Sequence, residues 1–364
     1  MTTIPTRLIA FYLPQFHPIP ENDEWWGKGF TEWTNVSKSD PLFEGHYQPH
    51  IPADLGFYDL RLPEARQAQA DLAREYGIHG FCYYHYWFKG KRLLERPFNE
   101  VLESGQPDFP FCLCWANETW SRRWLGEESH ILAKQDYSAE DDLDHAQALM
   151  PALADPRCIT VDGRPLFLIY RPKDLPDPQR TTETFRKTCL QNGLPEPYLV
   201  GVNAHCRNID SRYLGFDLTL NFRPQLGTLP GAFQEGPSLG KLLRNLRQGI
   251  FSSRLAIYEY EDAIRHMENG MRDIPIIPSI FVGWDNTPRR GDKSIVVRDT
   301  TPQRFERYLA ETIAKAEPVG ADGKLVFINA WNEWAEGNHL EPDQKFGRGF
   351  LEAVQRVASQ AQRD

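Results

Sequence analysis

Short runs of apolar, β-favouring residues alternate along this chain with longer segments of helical spacing. Eight runs qualify as strands: Leu8–Leu13, Gly80–Tyr86, Phe111–Trp115, Leu166–Tyr170, Tyr198–Val202, Leu218–Phe222, Ile276–Val282 and Leu325–Ala330. Between them, Pro63–Tyr76 carries Ala and Leu at helical spacing and ends at Gly77. Ala139–Leu153 follows Ser138, and Pro302–Ala316 follows Thr301, both good N-caps. Thr182–Gln191 closes at Asn192-Gly193. Strands that alternate with helices predict a parallel sheet, and eight such units predict a closed (β/α)8 TIM barrel of the α/β class. The interval from Pro224 to Asp273 leaves room for an extra helical excursion. No linker rich in Gly, Ser or Pro divides the chain, so residues 1–364 read as a single domain.

A barrel places its chemistry after the C-terminal ends of its strands. There the sequence pairs aromatic with amide or charged residues, unit after unit. The first strand is followed by Gln15 and His17, the second by His85, Tyr86 and Trp87, the third by Trp115, Asn117 and Glu118. The fourth ends in Tyr170 and Arg171, the fifth in Asn203 and His205, the sixth in Asn221 and Arg223. Trp284, Asp285 and Asn286 follow the seventh, and Trp331, Asn332, Glu333, Trp334 and Glu336 the eighth. Loops are polar in any protein, but this repeated pairing exceeds that tendency.

Composition sharpens the ligand class. Aromatics reach 12%, with 10 Trp, and many of the Trp stand beside Asn, Glu, Arg or Gly rather than inside apolar runs. Flat rings flanked by hydrogen-bonding groups suit a sugar, with its apolar C–H faces and hydroxyl edges. The net charge of −9, with no basic stripe, argues against nucleic acid and anionic membranes as partners. No stretch approaches the roughly 20 apolar residues of a membrane span. The first residues show no export signal, because the run Leu8–Leu13 is short and broken by Pro14. Cys82, Cys112, Cys114, Cys158, Cys189 and Cys206 have neither metal-ligand nor disulfide spacing, and three lie inside strand patterns. Six free thiols in a reducing cytoplasm are expected. His17, His85, His205 and His339 lie on separate segments, so neither a metal nor a cofactor is expected.

Glu333 and Glu336 stand three residues apart, and a helical turn would aim both at one cavity. Glycoside hydrolysis needs two such groups: one protonates the departing oxygen, the other supplies a base or nucleophile. Trp331 and Trp334 would desolvate them and raise one carboxyl pKa. Glu118 competes for the acid role, in the Asn-Glu pair that ends the third strand. It reads as a substrate contact, since the eighth strand offers a complete pair.

The segment Asn332-Glu333-Trp334-Ala335-Glu336-Gly337, with Glu341-Pro342 after it, resembles the catalytic segment of glycoside hydrolase family 99, the endo-α-mannosidases and endomannanases. More of the chain looks like the WbsX-like relatives of that family, which occur with bacterial polysaccharide and O-antigen biosynthesis genes. The stretches 10–18, 29–36 (Gly-Phe-Thr-Glu-Trp33-Thr-Asn-Val), 80–87 and 115–118 carry this likeness over nearly the full length. The resemblance implies retaining cleavage of α-linked, mannose-like sugars through the substrate's own 2-hydroxyl. By motif position, Glu333 would deprotonate that hydroxyl as it attacks C1 to form an anhydro sugar. Glu336 would protonate the leaving oxygen and then activate water. Gln15, His17, Trp33, His85, Tyr86, Trp87, Trp115, Asn117, Glu118, Tyr170, Asn203, Arg223, Trp284, Asp285, Trp331, Asn332 and Trp334 are the expected sugar contacts. One departure stands out: Ala335 occupies a position where the hydrolases commonly carry His.

The expected protein is thus a cytoplasmic glycosidase acting on an oligo- or polysaccharide. Two rival readings are a glycosyltransferase of polysaccharide biosynthesis and a catalytically silent sugar-binding barrel. No Gly-rich phosphate loop or Asp-x-Asp stands at a strand end, which weighs against a nucleotide-sugar enzyme. The retained pair of glutamates weighs against silence.

Overall fold

The computed structural model describes residues 4–122, 127–204, 209–232, 255–269 and 274–361. Eight strands form a barrel: β1 (Thr6–Tyr12), β2 (Gly80–Phe88), β3 (Phe111–Trp115), β4 (Arg164–Ile169), β5 (Tyr198–Val202), β6 (Leu218–Asn221), β7 (Ile276–Phe281) and β8 (Lys324–Asn329). Each pairs in parallel with its neighbours in sequence, from β1–β2 round to β7–β8. β1 also pairs with β8, Thr6 facing Lys324 and Ala10 facing Ile328, which closes the ring. The pattern of apolar runs therefore located all eight strands to within a few residues.

Closure buries both faces of every strand, so period two separates two cores rather than core from solvent. Ile9, Phe11, Cys82, Cys112, Cys114, Leu166, Leu168, Val200, Leu220 and Phe327 fill the barrel interior. Their sequence neighbours, among them Ala10, Phe81, Tyr83, Leu113, Trp115, Phe167 and Ile328, pack outward beneath the helices. The thiols of Cys82, Cys112 and Cys114 are inner-layer filler with no solvent exposure. The five described cysteines are free and buried, whereas Cys206 and His205 lie outside the described residues.

Ten helices matter for the site and its frame. They are α1 (Pro20–Trp26), α2 (Glu32–Ser37), α3 (Pro63–Glu75), α4 (Arg96–Ser104), α5 (Ala139–Leu153), α6 (Pro178–Gln191), α7 (Tyr260–Glu268), α8 (Thr287–Arg290), α9 (Pro302–Lys315) and α10 (Gly349–Ala361). The predicted caps hold: Ser138 accepts from Asp141 N and Thr301 from Arg304 N. α6 starts four residues before the predicted Thr182, because Asp177 caps it and Pro178 takes the first helical position. The excursion after β6 contains α7, and also a strand, Ala256–Glu259, that periodicity did not announce. That strand pairs in parallel with Ile295–Arg298, which pairs antiparallel with Trp284–Asp285. This small sheet stands outside the barrel and carries the residues following β7. No helix among the described residues is long and apolar enough to cross a membrane.

Candidate active site

A cavity of about 740 Å³ opens at the C-terminal end of the barrel. Its wall follows strand parity. On β2 the even residues face inward, so Tyr84 and Tyr86 line the cavity after Cys82. Ala116 and Glu118 continue the inward register of Cys112 and Cys114, as Leu13 and Gln15 continue that of Ile9 and Phe11.

At one side of the cavity four ionisable groups meet. β8 runs through Trp331 into a short strand, Asn332–Glu333, that pairs antiparallel with Asn338–His339. A single 3-10 turn, Trp334–Glu336, joins them, and residues three apart on such a turn lie one above the other. Gly337 then reverses the chain at φ +56, where a Cβ would stand 3.1 Å from Asp285 Cβ. Glu333 and Glu336 consequently share one face, as their spacing predicted. Both meet the guanidinium of Arg289, whose Nη2 donates to Glu333 Oε2 at 3.0 Å and whose Nη1 donates to Glu336. The Nε of Arg289 donates to Glu32 Oε1 at 2.8 Å. Gln15 Nε2 donates to the other oxygen of Glu32 at 3.0 Å.

Three buried carboxyl groups around one cation cannot all ionise at ordinary cost. Burial raises Glu333 above the usual carboxylate range, Arg289 pulls it back, and Glu32 raises it again. Glu336 is pushed up to about 8: burial is the largest cause, opposed by Arg289 and reinforced by Glu333 and Glu32. Burial thus raises both carboxyls, and Glu336 raised to about 8 favours its protonated form near neutrality. The Glu336 side chain keeps 19% exposure, against 9% for Glu333, so it is the member that solvent reaches more readily.

The turn is braced from behind. Glu341 accepts from Gln69 Nε2 at 2.6 Å, Tyr58 OH at 2.9 Å and Trp334 Nε1 at 2.6 Å, and burial raises it to about 7 despite these donors. Asn332 clamps the end of β1, accepting from Leu13 N at 2.7 Å and donating to Leu13 O at 3.0 Å. Asp285 seats α8, and with it Arg289. It accepts from His46 Nε2 at 2.6 Å, Gln48 Nε2 at 2.8 Å and Thr287 N at 2.9 Å. Burial alone would raise the Asp285 carboxyl, but those donors hold it below its ordinary value.

Of the expected sugar contacts, Gln15, Tyr86, Glu118, Tyr170 and Trp284 line the cavity with Glu333 and Glu336. Glu118 is bound by Arg171 Nε at 2.6 Å on the cavity wall. The others stand off the wall, and parity explains most of them. His85 and Trp87 point outward to α5, where His85 meets His145 and Trp87 donates to Asp141. Trp115 lies in the same outer layer, its Nε1 3.4 Å from Trp87 O. Asn117 fastens the strand ends instead, exchanging hydrogen bonds with Arg171 N and O. Asn203 follows the inward Val202 and is buried outside the wall. Arg223 donates to Asn221 and Met267 O and borders a different cavity beside α9. His17 is buried against Pro14 O, its pKa lowered by burial to about 4. Trp33, Trp331 and Trp334 belong to the packed layer behind the turn, while Asn332 and Asp285 act as the braces described above.

Sequence reasoning missed Arg289 and Glu32 as site residues, together with Tyr84 and Trp120 of the wall. The Arg289-Arg290 pair after Trp284-Asp285-Asn286 was the available signal for the first. Ala335 lies fully buried in the outer core rather than on the cavity wall. Among the described residues, one cluster has metal-ligand spacing, His50, His339 and Asp343, and it lies off the cavity.

A family model described as Glycosyltransferase WbsX matches residues 8–354. The protein described as uncharacterized protein WxcX, from Xanthomonas campestris pv. campestris strain B100, is 44% identical over 363 residues. That alignment covers 99% of this chain and 50% of the relative. The chain thus spans about half the length of the curated relatives it matches. Among solved structures, the GH99 endo-alpha-mannosidase from Bacteroides thetaiotaomicron superposes with a TM-score of 0.59 at 14% identity, covering 98% of both chains. A glycoside hydrolase-like protein superposes with a TM-score of 0.57 at 13% identity, over 98% of this chain and 95% of that one. Likenesses at such identity establish the shared barrel fold.

Proposed function

This chain belongs to the WbsX family, and from that premise we propose that it cleaves α-linked, mannose-like glycosidic bonds of a bacterial surface polysaccharide with retention of configuration. The observation that carries this reading is the Glu333/Glu336 pair, held by one guanidinium at a cavity whose wall includes Tyr84, Tyr86, Trp120, Tyr170 and Trp284. In this reading Glu336 is the general acid, because a carboxyl raised to about 8 keeps its proton near neutral pH. Glu333, bound to Arg289 and less accessible, takes the proton of the sugar 2-hydroxyl as that oxygen attacks C1. The anhydro sugar so formed opens when water, deprotonated by Glu336, attacks C1 from the opposite side, while the C1–O2 bond breaks and O2 takes its proton back from Glu333. Tyr86, Tyr170 and Trp284 offer ring faces to the sugar, and Gln15 and Glu118 offer polar contacts. Residues 1–364 act as one barrel unit in this reading, in a reducing cytoplasm compatible with the buried free thiols.

The description of the family model favours a second outcome, glycosyl transfer. The same two groups serve it, since an acid that becomes a base activates a sugar hydroxyl as readily as water. Incubating the purified protein with defined α-linked oligosaccharides, with and without acceptor sugars and with nucleotide sugars in parallel, separates the cases. Hydrolysis products support the first reading, and elongated products formed without nucleotide support transfer by the same pair. Turnover only with a nucleotide sugar removes the assignment of Glu333 and Glu336.

A further inference from the structure

Behind the turn that carries the glutamates, His50, His339 and Asp343 each offer one ligand atom, and these atoms all lie within 4.8 Å of one another. The geometry points to a structural divalent-metal site of the zinc type at these three side chains. His50 Nδ1 stands 2.8 Å from His339 Nε2, and Asp343 Oδ2 stands 3.9 Å from that same nitrogen. Two nitrogens bound to one tetrahedral zinc at about 2.0–2.1 Å lie roughly 3.3–3.4 Å apart, so the imidazole edge must open by roughly 0.5 Å to take the ion. Asp343 Oδ1 is fixed by Lys345 N and Phe346 N at 2.9 and 2.6 Å, and a pivot about it brings Oδ2 inward.

The tautomer of His339 is set by its surroundings. Its Nδ1 lies 2.9 Å from Glu341 O, and a carbonyl can only accept. The proton therefore resides on Nδ1, so Nε2 presents a lone pair that accepts from His50 Nδ1–H, and metal binding requires that His50 proton to move to its Nε2. Two imidazoles and one carboxylate suit zinc better than magnesium or calcium, which prefer oxygen donors. His50 is half-buried, so an ion and a fourth, water ligand reach the site from outside.

None of the three residues lines the cavity, so the ion does not touch a ligand there. It joins two segments 289 residues apart. His339 stacks on Trp334 with ring centroids 3.7 Å apart, which couples the cluster to the 3-10 turn. The ion fastens the floor of the site.

The test titrates zinc into the chelator-stripped full chain by calorimetry, with melting temperature followed in parallel and Co²⁺ as a coloured substitute. One equivalent of zinc should bind and raise the melting temperature, and Co²⁺ should give visible ligand-field bands. His50→Gln and Asp343→Asn should each weaken zinc binding about tenfold or more. The amide introduced by Asp343→Asn keeps the Oδ1 acceptor, which limits damage to the fold. No saturable zinc binding, or binding equal in the wild type and both variants, overturns the proposal. Should the variants fold poorly, the cobalt spectrum of the unaltered chain decides, and a spectrum without bands overturns it.

Discussion

Arg289 donates from Nη2 to Glu333 Oε2 at 3.0 Å, a bond between segments 44 residues apart that ties the turn after β8 to α8. The same guanidinium binds Glu336 and Glu32, so it sets the charge balance of the whole cluster. Replacing Arg289 by Met leaves three buried carboxyl groups without their cation. In the proposed mechanism Glu333 then takes up a proton and loses its function as a base. Turnover should fall about 10²–10³-fold, of the order found when one preorganised charge partner is removed. Arg289→Lys should recover only part of this, because an ammonium cannot span three acceptors in a plane. Kinetics on any substrate identified by the oligosaccharide screen check both, and an unimpaired Arg289→Met enzyme would contradict the assignment.

The raised carboxyl of Glu336 gives activity an alkaline limit. A general acid must hold its proton, so kcat/KM should decline as pH rises through about 8. Stability should follow the same sign. The group's pKa is raised from 4.5 when unfolded to about 8 when folded, so the folded state binds more protons between those values. The stabilisation present below about 4.5 is lost as pH rises through about 8. Glu336→Gln should flatten that segment of the melting-temperature profile, and a profile of unchanged slope would rule Glu336 out as its source.

The eight strands were legible because a closed parallel barrel buries both strand faces, which leaves short apolar runs between helices. The same rule of alternation could have sorted the candidate contacts. Tyr84 and Tyr86 share the inward register of Cys82, whereas His85, Trp87 and Trp115 fall on the outer register and pack under α5. Proximity to a strand end was read where parity was needed. The pairing of Glu32 with Arg289 was not legible by any local rule, since their bond crosses 257 residues and depends on the small sheet outside the barrel.

Glu341 shows how a functional-looking acid can be a brace. Glu341→Ala would leave the donors on Gln69, Tyr58 and Trp334 buried and unpaired. The loss should be about 3 kcal/mol or more, since each orphaned buried donor costs about 1–3 kcal/mol. Glu341→Gln should cost less, as its carbonyl still accepts. Denaturant unfolding of both variants measures the difference, and equal stabilities of wild type and Glu341→Ala would dismiss the brace.

The two glutamates are separated most sharply by substrate design. Glu333→Gln should abolish turnover while preserving sugar binding, since the amide keeps shape and hydrogen bonds yet cannot accept the proton. Glu336→Gln should regain part of its rate on substrates with an activated leaving group, where acid help matters less. A 2-deoxy analogue should bind without reacting, because the atom that attacks C1 is missing. The competing assignment gives the acid role to Glu118 with a covalent intermediate elsewhere, and it predicts turnover of the 2-deoxy analogue and a dead Glu118→Gln. The position of Glu118 disfavours that outcome, since Arg171 engages its carboxylate at 2.6 Å and a cation so placed favours the charged form. Glu118→Gln should therefore act mainly on KM. Hydrolysis of the 2-deoxy analogue at the parent's rate would eliminate participation by the 2-hydroxyl, and would leave the barrel and the aromatic cavity as the parts still standing.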